Sequence, residues 1–346
     1  MSTKLYIDAL NFGNFFFAKT KYTWSMKEPY ERVKLFVNAC KNANLDIIIF
    51  IDESVETDEA INKWKSRREK EVQNQEKYMP QGMSYFLGDM FKSLNVPVYY
   101  SLDEDNDDTI AFYANADGAD ILSGDGDFYR YIDRKYKIYS DFNQTKMIAT
   151  GKLELLSNSK ARENFVIETR KDMLRDIREP PKCIDVKCNI PFVPILEKFK
   201  IYRRGAPSPL IRKLGYNPHV KIKPIRRAIY NHIFNDKKTV VFEEFPSWSE
   251  VDNRVVWLSE NVSLFDSDSE ELNKITQQLN EDPEIIFKEY FPQEADSLKR
   301  MNDKKKVIFP EGIEFKQWKK HCFACKSITF ELCCIINGKS LFSYFI

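Results

Sequence analysis

The sequence predicts an α/β fold: a parallel sheet flanked by helices over residues 1 to 150, then a mainly helical C-terminal region. Three observations predict it. Short β-branched runs alternate with segments of helical period, the pattern of βαβ units. The run "LDIIIFIDES" is apolar without alternation, as a strand covered on both faces must be. Past Gly151 the alternation stops and charge begins to cluster in blocks.

The elements follow in order. "KLYIDAL" is a short strand ending at Asp8, and "PYERVKLFVNACKNAN" sets Val33, Phe36, Val37 and Cys40 at helical spacing. "LDIIIFIDES" is the second strand and ends at Asp52. Two helices, "DEAINKWKSRREKEVQNQEKY" and "MSYFLGDMFKSLN", lead to the strand "VPVYY". The helix "DDTIAFYANA", the strand "ADILSGDGD" and a last strand near "KYKIYSDF" complete the unit. Beyond it, residues 160 to 182 read as a charged helix that breaks at "EPP". Residues 198–238 hold twelve Lys or Arg against one acid, Asp236, and 243–289 read as an acidic connector. "FKQWKKHCFACKSITFELCCII" predicts a closing helix.

Composition excludes several classes. With 43% apolar and 14% aromatic residues in a chain of 346, the protein has the means to build a core. No window of some twenty uncharged apolar residues predicts a membrane span. The N-terminal stretch lacks the basic and apolar regions of a secretory signal, so the expectation is a nuclear or cytoplasmic protein that is not secreted. Seven cysteines at these spacings do not suggest a disulfide framework.

The chemistry lies in the acids. In an open parallel sheet, ligands gather outside the carboxyl ends of the strands. Asp8 ends the first strand and Asp52 the second; Asp125 and Asp127 follow "DILSG"; Asp105, Asp107 and Asp108 open the helix after "VPVYY". Taken singly, each acid has an ordinary explanation, since Asp caps helices and makes turns. Taken together they converge on one edge, where carboxylates repel one another unless cations neutralise them. So many hard oxygen ligands suit two Mg²⁺ or Mn²⁺ ions rather than zinc.

At "DEDNDDTIAFYANADGADILSGDGDFYRYI" the sequence resembles the acidic block of the PIN-like 5′ nucleases, the superfamily of flap endonucleases and XPG-type nucleases. Asp105 stands where that family has Glu, Asp107 and Asp108 match its Asp pair, and Asp125 and Asp127 match its D-x-D. "YIDALN" and "FIDES" match its first two metal-binding strands, at Asp8 and Asp52. The resemblance covers residues 4 to about 145. It implies a nuclease of DNA or RNA, structure- or single-strand-specific, that uses two divalent metals. Asp8, Asp52, Asp107, Asp125 and Asp127 would be the ligands, with Asp105 and Asp108 beside them. The chain opens Met-Ser-Thr where flap endonucleases open Met-Gly-Ile, and it lacks their Gly-rich helix–hairpin–helix. In that layout it is similar to the asteroid proteins and constitutive coactivators of PPAR-gamma. That branch implies the alternative, a catalytically silent scaffold or RNA-binding protein in signalling or gene regulation.

Nucleic-acid contacts are expected from two places. The helix "INKWKSRREKE" offers Lys63, Arg67 and Arg68, which the resemblance places toward the scissile phosphate; the competing reading is a solvated helix with internal ion pairs. The 198–238 segment, with Arg203, Arg204, Arg226 and Arg227, interleaves basic and aromatic residues, which suits phosphates and unpaired bases. Its competing reading is pairing with the acidic region that follows. Cys183-x4-Cys188 and Cys322-x2-Cys325, with His321 adjacent, are loosely spaced for a zinc site, and packing is the reading adopted for them.

Overall fold

A computed structural model describes residues 2–17, 27–52, 58–73, 83–101, 105–131, 133–157, 183–184, 200–202, 208–234, 240–249, 251–265, 269–281 and 283–337. The central element is a mostly parallel sheet. Its strands are β1 (Thr3–Asp8), β2 (Leu45–Asp52), β3 (Val98–Ser101), β4 (Asp120–Leu122), β5 (Ile138–Phe142), β6 (Leu155–Ser157) and β7 (Cys183–Ile184). Their order across the sheet is β6-β5-β4-β1-β2-β3-β7. The five inner strands are parallel, and β6 and β7 run antiparallel at the two edges. The order runs outward from β1 to β3 and then resumes on the other side of β1 with β4. The strand order therefore reverses between the parallel neighbours β1 and β4, where open α/β sheets leave a crevice.

Helices cover both faces. On one, Leu5, Ile7, Ile47, Ile49 and Ile51 meet the buried side chains of α2 (Lys27–Asn42) and α4 (Met83–Ser93). On the other, Tyr6, Phe50 and Ile121 pack against Ile110, Ala111 and Ala114 of α5 (Asn106–Asp117). This two-sided burial is the reason the strands read as unbroken apolar runs. Asn44 (φ 58°) and Asn95 (φ 59°) turn the chain between helix and strand in the left-handed region that Asn tolerates. Three further α-helices belong to the described N-terminal half: the short α1 (Gly13–Phe16), the 16-residue α3 (Asp58–Gln73) after β2, and α6 (Gln144–Thr150) after β5.

The remainder is largely helical: α7 (Ser208–Leu214), α8 (Pro218–Lys221), α9 (Lys223–Phe234), α10 (Glu270–Glu281), α11 (Pro283–Tyr290), α12 (Pro292–Asn302) and α13 (Phe315–Asn337). The acidic connector read over 243–289 is structured in two parts: α10 and α11 occupy its second half, and a strand pair forms its first. Residues 240–263 form two ten-residue antiparallel strands, β9 (Val240–Ser249) and β10 (Arg254–Ser263), with the short β8 (Lys200–Tyr202) parallel to β9. "VVFEEFPSWS" and "RVVWLSENVS" are rich in β-branched and aromatic residues, a signal that the excess of acids obscured. The helix expected over 160–182 lies outside the described residues. None of the described helices is long and apolar enough to cross a membrane.

Candidate active site

Asp8 is the last residue of β1 and is buried at the switch between β1 and β4. Its Oδ2 accepts a hydrogen bond from Ser123 Oγ at 3.1 Å and another from Asn11 Nδ2. Ser123 directly follows β4, and its hydroxyl in turn accepts the Asp125 N–H at 3.1 Å. Asp125 Oδ1 then accepts the Asp127 N–H at 3.0 Å. The segment "SGDGD" is thereby curled so that the charge of Asp125 bears on Asp8, with Asp127 beside Asp125. Asp105 caps α5, accepting the Asp107 N–H at 3.0 Å, so its ordinary role is real. Ser101 Oγ and Thr109 Oγ1, 3.0 Å apart and buried, fasten that helix start to the end of β3.

Besides Asp8, the six acids expected at this edge fall into three groups, with Asp127 shared between two of them. Asp107, Asp125 and Asp127 each present a carboxylate oxygen, and all three oxygens lie within 4.8 Å of one another. Asp105 and Asp108 are held by Arg130, whose Nη2 lies 2.9 Å from each; its Nη1 reaches Asp127 at 3.4 Å. Tyr131 donates its hydroxyl to Asp108. Asp52 accepts both terminal nitrogens of Arg67, each at 3.2 Å.

The electrostatics follow. Burial, reinforced by Asp8, Asp105 and Asp125, pushes the Asp107 carboxyl up to about 8. Burial also lifts Asp8 to about 6, with Ser123 and Asn11 opposing the rise and the charges of Asp52 and Asp125 adding to it. Asp105 ends below the ordinary carboxylate range. Burial would raise it, but the hydrogen bond and charge of Arg130, the Asp107 N–H and the charge of Lys63 outweigh that. A divalent cation beside Asp107, Asp125 and Asp127 would relieve the like-charge repulsion, and the all-oxygen donor set fits Mg²⁺ or Mn²⁺.

Arg130, Ser123 and Asn11 were missed in the sequence. The available signal was position: Arg130 lies three residues past Asp127 and Asn11 three past Asp8, the spacing that brings side chains together in a helical turn.

The basic residues separate. Lys63 is exposed on α3, and Arg67 is exposed but paired with Asp52. Arg68 is half-buried with its guanidinium 5.4 Å from the centre of the Trp64 ring. Arg226, expected to contact nucleic acid, is buried instead. It bonds Glu243 through Nε at 2.7 Å and Nη2 at 3.0 Å, and donates to the His219 carbonyl. Arg227 lies over Phe265 at 3.7 Å and donates to the Ser263 carbonyl at 2.7 Å. Lys223 pairs with Glu260. For these residues the pairing between basic segment and acidic region, the competing reading, is what the fold adopts. Arg203 and Arg204 lie outside the described residues.

No protein-family model and no curated protein matches the chain. Among solved structures it is similar to the catalytic core of Rad2 in complex with a DNA substrate, at TM-score 0.33 and 10% identity. That likeness covers 50% of this chain and 52% of that one, so the chain spans about half the length of the structure it matches. At that score the likeness adds no weight to the reading of the residues themselves.

Proposed function

We propose that the protein is a divalent-metal-dependent nuclease of the PIN-like type, hydrolysing phosphodiester bonds of single-stranded or flapped DNA, or of RNA. The observation that carries this reading is the crowding of Asp107, Asp125 and Asp127 beside buried Asp8, at the switch point of a parallel sheet. Two Mg²⁺ or Mn²⁺ ions bound there would activate a water and stabilise the leaving oxygen. Asp107, Asp125 and Asp127, with Asp8 and Asp52, are the proposed ligands. Asp105 and Asp108, gripped by Arg130, act as positioning residues that hold the start of α5 against the D-x-D segment. Lys63 is the exposed cation for steering phosphate, and Arg67 takes that role once a cation competes for Asp52.

One observation favours the second reading, a catalytically silent scaffold. Arg130 and Arg67 already neutralise Asp105, Asp108 and Asp52 from within the chain, so that part of the cluster stands without ions.

The test is cleavage of labelled single-stranded and flapped DNA and of RNA in Mn²⁺, comparing the wild type with Asp107→Asn and Asp125→Asn. The expected outcome is cleavage by the wild type and a loss of about 100-fold or more in each variant, with binding retained. Salt-sensitive binding without any wild-type cleavage would sink the enzyme reading in favour of the scaffold.

A further inference from the structure

A second cluster of ligand-type residues lies in the C-terminal helices. Glu294 on α12 and His321 and Cys325 on α13 are all buried, at 1%, 4% and 0% exposure. His321 and Cys325 are four residues apart, so they share one face of α13, the face packed on α12. Glu294 Oε1 lies 3.3 Å and Cys325 Sγ 3.4 Å from His321 Nε2. The Tyr216 hydroxyl lies 2.9 Å from the same nitrogen.

One imidazole nitrogen carries either one proton or one lone pair, so it cannot satisfy a carboxylate, a thiol and a phenol together. A buried carboxylate also requires a countercharge. Among the described residues no Lys or Arg forms an ion pair with Glu294; the cationic partner within reach is His321 itself, at 3.3 Å, and only if its ring is protonated. Lys221 is directed instead over the Tyr216 and Phe291 rings, at 4.7 and 5.3 Å. The distances themselves indicate what fits. Tetrahedral zinc bonds of about 2.0–2.1 Å to nitrogen or oxygen and about 2.3 Å to sulfur separate neighbouring ligand atoms by about 3.3–3.6 Å. The two measured separations from His321 Nε2 fall close to these edges.

We propose that Glu294, His321 and Cys325 form a buried structural Zn²⁺ site that staples α12 to α13, with a water in the fourth position; the Tyr216 hydroxyl, at 2.9 Å from His321 Nε2, lies nearer than a fellow ligand would. The thiolate and imidazole suit a borderline-soft ion, whereas the carboxylates at the sheet edge suit hard ones. The two sites are therefore separable by metal. The signal in the sequence was half visible: His321 and Cys325 stood together, but the partner that completes the set is a glutamate 27 residues upstream rather than another cysteine.

The experiment measures zinc in the full-length chain after dialysis, then replaces it with Co²⁺ and records the absorption spectrum. The expected result is one tightly held zinc per chain, and a cobalt form with a thiolate charge-transfer band and intense tetrahedral d–d bands. Cys325→Ser and His321→Gln should lower the affinity by about 100-fold or more and abolish the charge-transfer band, while Asp125→Asn leaves both unchanged. A wild-type chain that takes up no zinc and shows no such band overturns the proposal, and this holds whether or not the variants fold. A band that survives Cys325→Ser overturns it equally.

Discussion

Asp107 is half-buried beside Asp8, Asp105 and Asp125, and desolvation together with the three like charges holds its carboxyl at about 8. In an unfolded chain the same carboxyl titrates near 4, so between those values the folded state binds the extra proton. The stabilising contribution is complete below the unfolded value and is lost as pH rises through about 8; Asp8, at about 6, loses its share earlier. In buffer free of divalent cations, melting temperature should therefore fall between pH 5.5 and 8.5. After allowance for solvent screening the loss is on the order of 2 kcal/mol, or about 3 °C for a chain of this size. Mn²⁺ should restore it at pH 8.5, and Asp107→Asn should flatten the profile. A profile that rises over this range, measured by calorimetry, would refute the account.

At the scale of the elements, α4 packs closely on the sheet at Gly88. A methyl group placed on Gly88 would lie 2.1 Å from Tyr100 Oη and 3.1 Å from Ile51 Cδ1, so any larger residue there makes the Tyr100 side chain shift. Gly88→Ala gains helix propensity but forces the Tyr100 ring to move. The expected net loss is about 1–3 kcal/mol, read as a lower urea midpoint with an unchanged slope. An unchanged midpoint would mean that the ring shifts freely. A similar contrast marks the strands. β2 was legible because burial on both faces demands an apolar run, while β9 and β10 were not, because alternation with Glu243, Glu244 and Glu260 resembled a solvated acidic tract.

Across the whole molecule, the hairpin of β9 and β10 connects distant parts of the chain. Trp257 Nε1 donates to Glu69 at 2.6 Å, and Lys65 pairs with Glu244 at 3.7 Å, so the hairpin braces α3, which carries Lys63 and Arg67. On its other side Glu243, fully buried, receives Arg226 and the Tyr230 hydroxyl, the latter at 2.5 Å. Removing one partner leaves a buried charge unpaired. Arg226→Met should therefore cost about 3–5 kcal/mol in urea unfolding, and Arg226→Met with Glu243→Leu should recover most of it. Equal losses in the single and double variants would show that the pair matters only through packing.

The sequence alone determined the alternation of strand and helix, the strand-end positions of Asp8, Asp52, Asp125 and Asp127, and the capping position of Asp105. Each of these is set by local period, by the polarity of a strand end or by helix-start chemistry, all of which act over a few residues. Tertiary structure decided which charges remain available. Whether Arg226 faces solvent or Glu243, whether Arg130 closes on Asp105 and Asp108, and whether Glu294 meets His321 depend on contacts between residues 17 to 27 positions apart. Coulombic pairing acts through space and leaves no period in the chain, so only the folded arrangement separates Asp52, Asp105 and Asp108, committed to arginine, from Asp107 and Asp125, with Asp127 shared between Arg130 and that pair.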